Sequence, residues 1–316
     1  MKNHLLCTLL LVTGPVLADP APPPPLDATK FKSIAVKVAG KPFTSYIYQG
    51  VPKPVLFPIV GPYGLEMTRN YPLRPALANE EQDHPHHQSL WFAHGDINGI
   101  DFWSVAPKAG TVAVQGQPEV AEKDGATTIK SAEHWMNAEG KRILTSQTSI
   151  TSSGSGEYRI IDYTTTLHAS ESELTFGDTK EGTMALRVRP ELNLPSKKGL
   201  ATIVNSAGQT GEAVWGKPAA WVDYSAPIDG HTVGVACFDH PGNLRHPTTW
   251  HARDYGLFAA NPFGLHDFQK VPAGQGKHVL EKGASLAFRY RWVFHPGNAG
   301  EAQLAAAYRS WVESTK

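Results

Sequence analysis

The 316-residue chain carries 29 Lys+Arg against 29 Asp+Glu, so it lacks the basic footprint that nucleic-acid binding requires. Only 18% of residues are charged and 41% are hydrophobic, which excludes global disorder and allows a sizeable core. The 29 Gly and 25 Pro suit a chain with many turns rather than a helical one.

In chain order, Lys2 and His4 precede an apolar run from Leu5 to Leu17, followed by Ala18. This pattern predicts a secretory signal over residues 1–18, cleaved after Ala18, and an exported protein, periplasmic or secreted. Cys7 as a lipoprotein cysteine is the weaker alternative, because Leu5 and Leu6 stand where small residues are expected. The run is short and interrupted by Gly14-Pro15, and no later segment reaches spanning length, so no membrane span is expected. Removing the signal leaves Cys237 as the single cysteine, which excludes an internal disulfide and reads as a buried small hydrophobe. Residues 19–30, with Pro20-Ala-Pro-Pro-Pro-Pro25, read as a stiff tether. Residues 31–316 read as a single domain.

Most of that domain alternates with period two. Ile34, Val36 and Val38 share a face, as do Met184, Leu186 and Val188, and Leu286, Phe288, Tyr290, Trp292 and Phe294, with polar residues between them. Turn signals at 39–42, 137–140 and 153–156 separate such runs. One helix is expected near the C-terminus, capped by Asn298 and Glu301, with Leu304, Tyr308, Trp311 and Val312 on one stripe. The predicted fold is all-β: a large antiparallel β-sandwich of supersandwich type with a C-terminal helix packed on it.

Eight of the fourteen histidines fall in two windows, 83–103 and 239–266, and this clustering points to a site. In the first window, Pro85 predicts an extended His84, so that His84 and His86 share a face and His87 points away. His86 and His87 are candidate acid/base groups with Asp96, and His94 and Asn98 are candidate binding groups. Trp91, Phe92, Phe102 and Trp103 read as core. The spacing His84-x-His86 is compatible with two metal ligands, although there is no His-Glu-x-x-His helix and no cysteine pair, so a divalent metal stays open as a cofactor. In the second window, His251 is a third acid/base candidate. Arg245, Arg253 and Trp250 are candidates for holding sugar hydroxyls or a sugar face, while a packed Trp250 is the alternative. Arg187 and Arg189 share a strand face with Glu191 just beyond. This makes Glu191 a candidate carboxylate base and Arg187 a candidate binding group, against the plainer reading of a surface ion pair.

The stretches Asp83-His-Pro-His-His-Gln-Ser-Leu-Trp91, Gly95-Asp-Ile-Asn-Gly-Ile-Asp-Phe-Trp103 and Asp239-His-Pro-Gly-Asn-Leu-Arg-His-Pro-Thr-Thr-Trp-His251 resemble the PmoA-like family, as do Asn261-Pro-Phe-Gly264 and Arg291-Trp-Val-Phe-His295. The resemblance covers nearly all of the mature chain and implies an exported bacterial protein of unknown biochemistry. The family's label, methane oxygenase, belongs to a membrane subunit built of spanning helices, and methane oxidation is not carried over. By architecture the chain is similar to the galactose-mutarotase-like β-sandwiches, which include sugar epimerases, lyases and hydrolases.

The leading expectation is therefore a carbohydrate-active enzyme, with an imidazole moving a proton and a carboxylate assisting in a groove at the rim. A non-catalytic glycan-binding module and a metal-dependent oxidoreductase are the alternatives. Two further expectations are that the two histidine windows meet in space, and that activity falls as pH drops through the usual histidine range.

Overall fold

The computed structural model describes Asp27 and residues 29–315; the expected signal and most of the tether lie outside these residues. The fold is an antiparallel β-sandwich. One sheet of seven strands runs in the order Lys32–Val38, Lys41–Gln49, Val55–Leu56, Leu90–His94, Gly182–Arg187, Leu257–Asn261, Thr249–Ala252. The other has nine strands: Thr202–Asn205, Trp221–Ile228, His231–Asp239, Ser285–Pro296, Arg159–His168, Arg142–Ser153, Ala126–Met136 and Thr111–Val114, with Glu119–Lys123 also paired to Ala126–Met136. The turn signals at 39–42, 137–140 and 153–156 fall where three hairpins close.

The two inner faces share one core. Phe258 meets Trp292 edge-on at 5.0 Å, and Phe92 meets Phe288 at 5.6 Å. Trp250 belongs to this core: its ring is buried and its Nε1 donates to the Ala219 carbonyl at 2.8 Å, so it has no face to offer a sugar. Cys237 is buried and unpaired.

The helix Leu304–Ser314 packs Leu304 and Trp311 on Ala236, Phe238 and Val293, the outer face of the nine-stranded sheet. Asn298 and Glu301 do form a reciprocal cap, Asn298 Oδ1 accepting from the Glu301 amide and Glu301 Oε2 from the Asn298 amide. They close a preceding turn, however. Gln303 is left-handed (φ 51°), so the α-helix starts one turn later than the cap signal implies. Among the described residues no helix is long and apolar enough to cross a membrane.

Period two holds on the inner strands of the seven-stranded sheet, but the polar side is not solvent. Leu90–His94, Gly182–Arg187, Leu257–Asn261 and Thr249–Ala252 are buried along their whole lengths. Their outer face carries a second apolar layer, Trp91, Ala93, Ala185, Leu257 and Ala259, roofed by Trp103 and Leu73 from flanking loops. The candidate site is built on that roofed face.

Glu133 points inward from the nine-stranded sheet and accepts hydrogen bonds from Ser131, Ser146 and Thr148. Burial raises its carboxyl from 4.5 to about 7, against the pull of those hydroxyls. A raised acid holds its proton more tightly when folded. Its contribution is fully present below 4.5 and is lost as pH rises to about 7. Wild-type stability should therefore decline over that window by roughly 3 kcal/mol from this residue. Glu133→Gln, which keeps hydrogen-bonding capacity without a titrating proton, should flatten the decline and be the more stable protein at pH above that window. Urea midpoints measured on both sides of the window test this, and an unchanged slope in Glu133→Gln would rule it out.

Candidate functional site

Four neighbouring strands place a single row of side chains on the outer face of the seven-stranded sheet. Trp91 pairs with Ala185, Ala185 with Ala259, and Ala259 with His251. Trp91 and the two alanines are buried under Trp103 and Tyr255, and His251 at the end of the row is left to line a cavity between the flanking loops. The result is a pocket of about 510 Å³ with His86, His87, His251 and Arg253 in its lining. Both histidine windows thus reach one pocket, although it lies over a sheet face and not at the sandwich rim.

The loop before Leu90–His94 is held by charge. Arg69 pairs with the Asp83 carboxylate and donates to the Glu81, Asp83 and His84 carbonyls, while Arg187 Nη2 donates to Asp83 Oδ1 at 3.0 Å. Burial alone would raise the Asp83 carboxyl, but Arg187, His84 and Arg69 together hold it below its ordinary value. The clamp forces a tight turn in which the His87 amide bonds the His84 carbonyl and His84 is left-handed (φ 42°). His84 is therefore not extended, and His87 does not point away. The rings of His84 and His87 stack in parallel at 4.7 Å, Tyr255 lies over His84 at 5.4 Å, and His86 stands edge-on to His87 at 4.4 Å.

The opposite wall is Lys180-Glu181, the approach to the strand Gly182–Arg187. Gly95 packs so tightly there that a Cβ would lie 2.7 Å from that of Glu181, which requires glycine. The third wall is the turn Asp101–Ser104, where Asp101 Oδ1 accepts from the Trp103 and Ser104 amides. Behind it the buried Lys53 Nζ donates to the Trp103 carbonyl at 2.6 Å and the Phe102 carbonyl at 3.3 Å. Burial lowers Lys53 to about 7, partly offset by Asp101.

Hydrogen bonds fix the protons on two of the imidazoles. A guanidinium can only donate, and Arg187 Nη1 lies 3.1 Å from His87 Nδ1. His87 Nδ1 is therefore the acceptor, and the neutral ring carries its proton on Nε2. His251 is the reverse: its Nδ1 donates to the Lys180 carbonyl at 3.0 Å, which leaves Nε2 as a bare lone pair. Both rings stay neutral. Burial pushes His87 well below the usual value, helped by His86 and Arg187. Burial likewise takes His251 down to about 3 and His86 to about 4, with Lys53 and His84 adding to the effect on His86. Glu181 moves the other way, since burial raises its carboxyl. The pocket thus presents an N–H donor at His87, a nitrogen acceptor at His251 and, at Glu181, a carboxyl that holds its proton more tightly than an ordinary glutamate.

Other candidates lie elsewhere. His94 is buried on the inner side, its Nε2 donating to the Gly177 carbonyl and its ring 4.5 Å from that of Phe263. Asp96 accepts from the Gly99 amide, and Asn98 ties its turn to the edge strand Leu174–Phe176 through Glu173 and Thr175. Glu191 pairs with Arg189 at 2.7 Å and accepts from Asn79, a local ion pair outside the pocket. Arg245 spends its donors on the Pro262, Gly276 and Lys277 carbonyls. Arg187 is buried behind His87, where it orients that ring without lining the pocket. Among the described residues no group of three His, Cys, Asp or Glu side chains is arranged to hold a metal ion. The two histidines read as a ligand pair, His84 and His86, stand on a turn with rings edge to face at 5.7 Å.

Lys53, Lys180, Glu181 and Tyr255 were not candidates by sequence. Tyr255 has a local signal, since it is two residues from Arg253 in the same turn. Lys180 and Glu181 reach the pocket only through strand pairing, and Lys53 lies behind its Asp101–Ser104 wall.

Among solved structures, an α-galactosidase from Lactobacillus brevis is similar in fold at 12% identity and a TM-score of 0.41, over 86% of this chain and 40% of that one. The chain thus spans less than half the length of that protein. Among curated proteins no sequence matches. The model of DUF6807, a family of unknown function, matches residues 33–309, and the chain belongs to that family.

Proposed function

We propose that the pocket binds a carbohydrate and acts on it by acid–base chemistry, as an epimerase, lyase or hydrolase does, in a protein exported by its first eighteen residues. The opposed tautomers of His87 and His251 carry this reading. His251 Nε2 takes a proton from a ring or glycosidic position. The His87 Nε2–H, held by Arg187, donates to oxygen on which negative charge develops. Glu181, protonated more readily than an ordinary carboxyl, supplies a proton to a leaving oxygen. Tyr255 gives the wall apolar ring surface, as sugar sites commonly have. The stretches that resemble PmoA-like proteins, 83–91 and 239–251, contain His87 and His251, the two residues on which this reading rests.

A panel of mono- and oligosaccharides incubated with purified protein, with both binding and product detection, tests the proposal. Product formation that survives in His87→Gln better than in His87→Ala is expected, because the glutamine amide can both accept from Arg187 and donate into the pocket. Binding without product would make the pocket a recognition module, and no binding of any sugar would dismiss the carbohydrate reading.

A further inference from the structure

The cations around the pocket divide into two kinds. Arg69 and Arg187 lie beneath it with their donors used by Asp83, His87 and loop carbonyls. Lys53 is likewise spent on two carbonyls. Arg253 and Lys180 line the cavity itself and are half-buried. Among the described residues neither has a hydrogen-bonded or ion-paired acceptor for its charged group. Arg253 only lies over the Tyr255 ring at 5.4 Å. The Lys180 carbonyl holds His251 Nδ1 at 3.0 Å and Arg253 follows His251 by two residues, so both adjoin that imidazole in the lining.

Of the two carboxyls in the lining, Asp101 is turned to its own loop amides, and among the described residues Glu181 forms no ion pair with Arg253 or Lys180. Asp83 is already shared by two arginines. The cavity lining therefore carries a guanidinium and an ammonium group whose donors no acceptor among the described residues takes up. Guanidinium donors left open in such a setting match a carboxylate, which can accept two parallel hydrogen bonds.

We propose that the ligand of this pocket is an acidic sugar, a uronate, whose carboxylate is bound by Arg253 and Lys180 beside His251. This rests on the carbohydrate reading above and narrows it. The carboxylate accepts hydrogen bonds from the two cations, and the sugar hydroxyls take the His87 donor and the His251 acceptor.

Titration calorimetry on the purified protein with D-glucuronate, D-galacturonate, D-glucose, D-galactose and the ring-free hydroxy acid glycolate separates the possibilities. The uronates should bind at least about tenfold more tightly than their neutral counterparts, as one charge-assisted contact implies. The preference should shrink at high salt. Arg253→Gln and Lys180→Gln should each weaken uronate binding about tenfold while shifting neutral-sugar affinity by no more than about twofold. Equal affinity for glucose and glucuronate, insensitive to Arg253→Gln, would overturn the uronate assignment and leave the carbohydrate reading standing. Glycolate binding as tightly as the uronates with the same Arg253 dependence would overturn the carbohydrate reading together with the sugar part of this proposal. Binding of none of the five would overturn both.

Discussion

Replacing Asp83 with alanine is expected to destabilise the protein by about 3–5 kcal/mol, the largest single-residue effect in the site. The cost does not come from lost attraction alone. Arg69 and Arg187 are each about 2% exposed, and Asp83 is the acid both of them reach. Removing it leaves two buried guanidinium groups facing each other without a counter-charge, and the mutual repulsion adds to their desolvation. Asp83→Asn should keep part of the hydrogen bonding and lose most of the same energy, which separates charge from shape. Thermal melts of the three proteins check this, and a drop of less than about 1 kcal/mol in Asp83→Ala would show the clamp to be dispensable. The pH dependence has a definite sign. The folded Asp83 pKa lies below its ordinary 3.8, so its stabilisation is complete above that value and is lost as pH falls through the lower, folded one. Asp83→Asn should lack that acid-side loss.

His251→Ala should lower turnover by roughly 10²–10⁴-fold on whichever sugar proves to be the substrate, with the melting temperature little changed. The ring is 3% exposed, and its one strong bond is to a loop carbonyl. His251→Gln should not restore the rate, because a glutamine amide lacks a basic nitrogen. The pH–rate profile carries the same signature. A base held down at about 3 is already available across the neutral range, so activity should stay level as pH falls through the usual histidine value and drop only in strong acid. This replaces the sequence-based expectation of a fall near neutrality, and burial is the cause of the difference. Glu181 sets the other limb: as a proton donor whose pKa burial raises above the ordinary 4.5, it should lose its proton, and the activity with it, as pH rises through that raised value. A profile with its acid limb at the ordinary histidine value would count against His251 as the base.

The sandwich, three of its hairpins and its terminal helix were legible because alternation and turn residues are local signals. The site was legible in part for a related reason. Histidines are scarce enough that two clusters stand out, and His86, His87, His251 and Arg253 do share a pocket. Asp96, Asn98, His94, Arg245 and Glu191 failed because a polar residue in a loop can satisfy itself on nearby backbone or on one neighbour, and composition does not distinguish that from a vacant group. Lys180 and Glu181 carried no signal at all. Their place depends on Gly182 pairing with His94, a contact between residues 88 apart in sequence. The left-handed turn at His84 was hidden in the same way, since the Arg69 clamp that imposes it is remote in sequence.

The strand edge that lines the pocket bears on how members of such a family can diverge. His251 and Arg253 line the pocket, while their immediate neighbours Trp250 and Ala252 face the shared core. Because successive residues of a strand point opposite ways, the lining of the cavity and the packing of the core are written in interleaved positions. Replacing His251 would alter the lining without moving Trp250 against Phe258. Ligand choice can therefore drift by single substitutions on one register of this strand while the other register, held to its volume, keeps the scaffold unchanged.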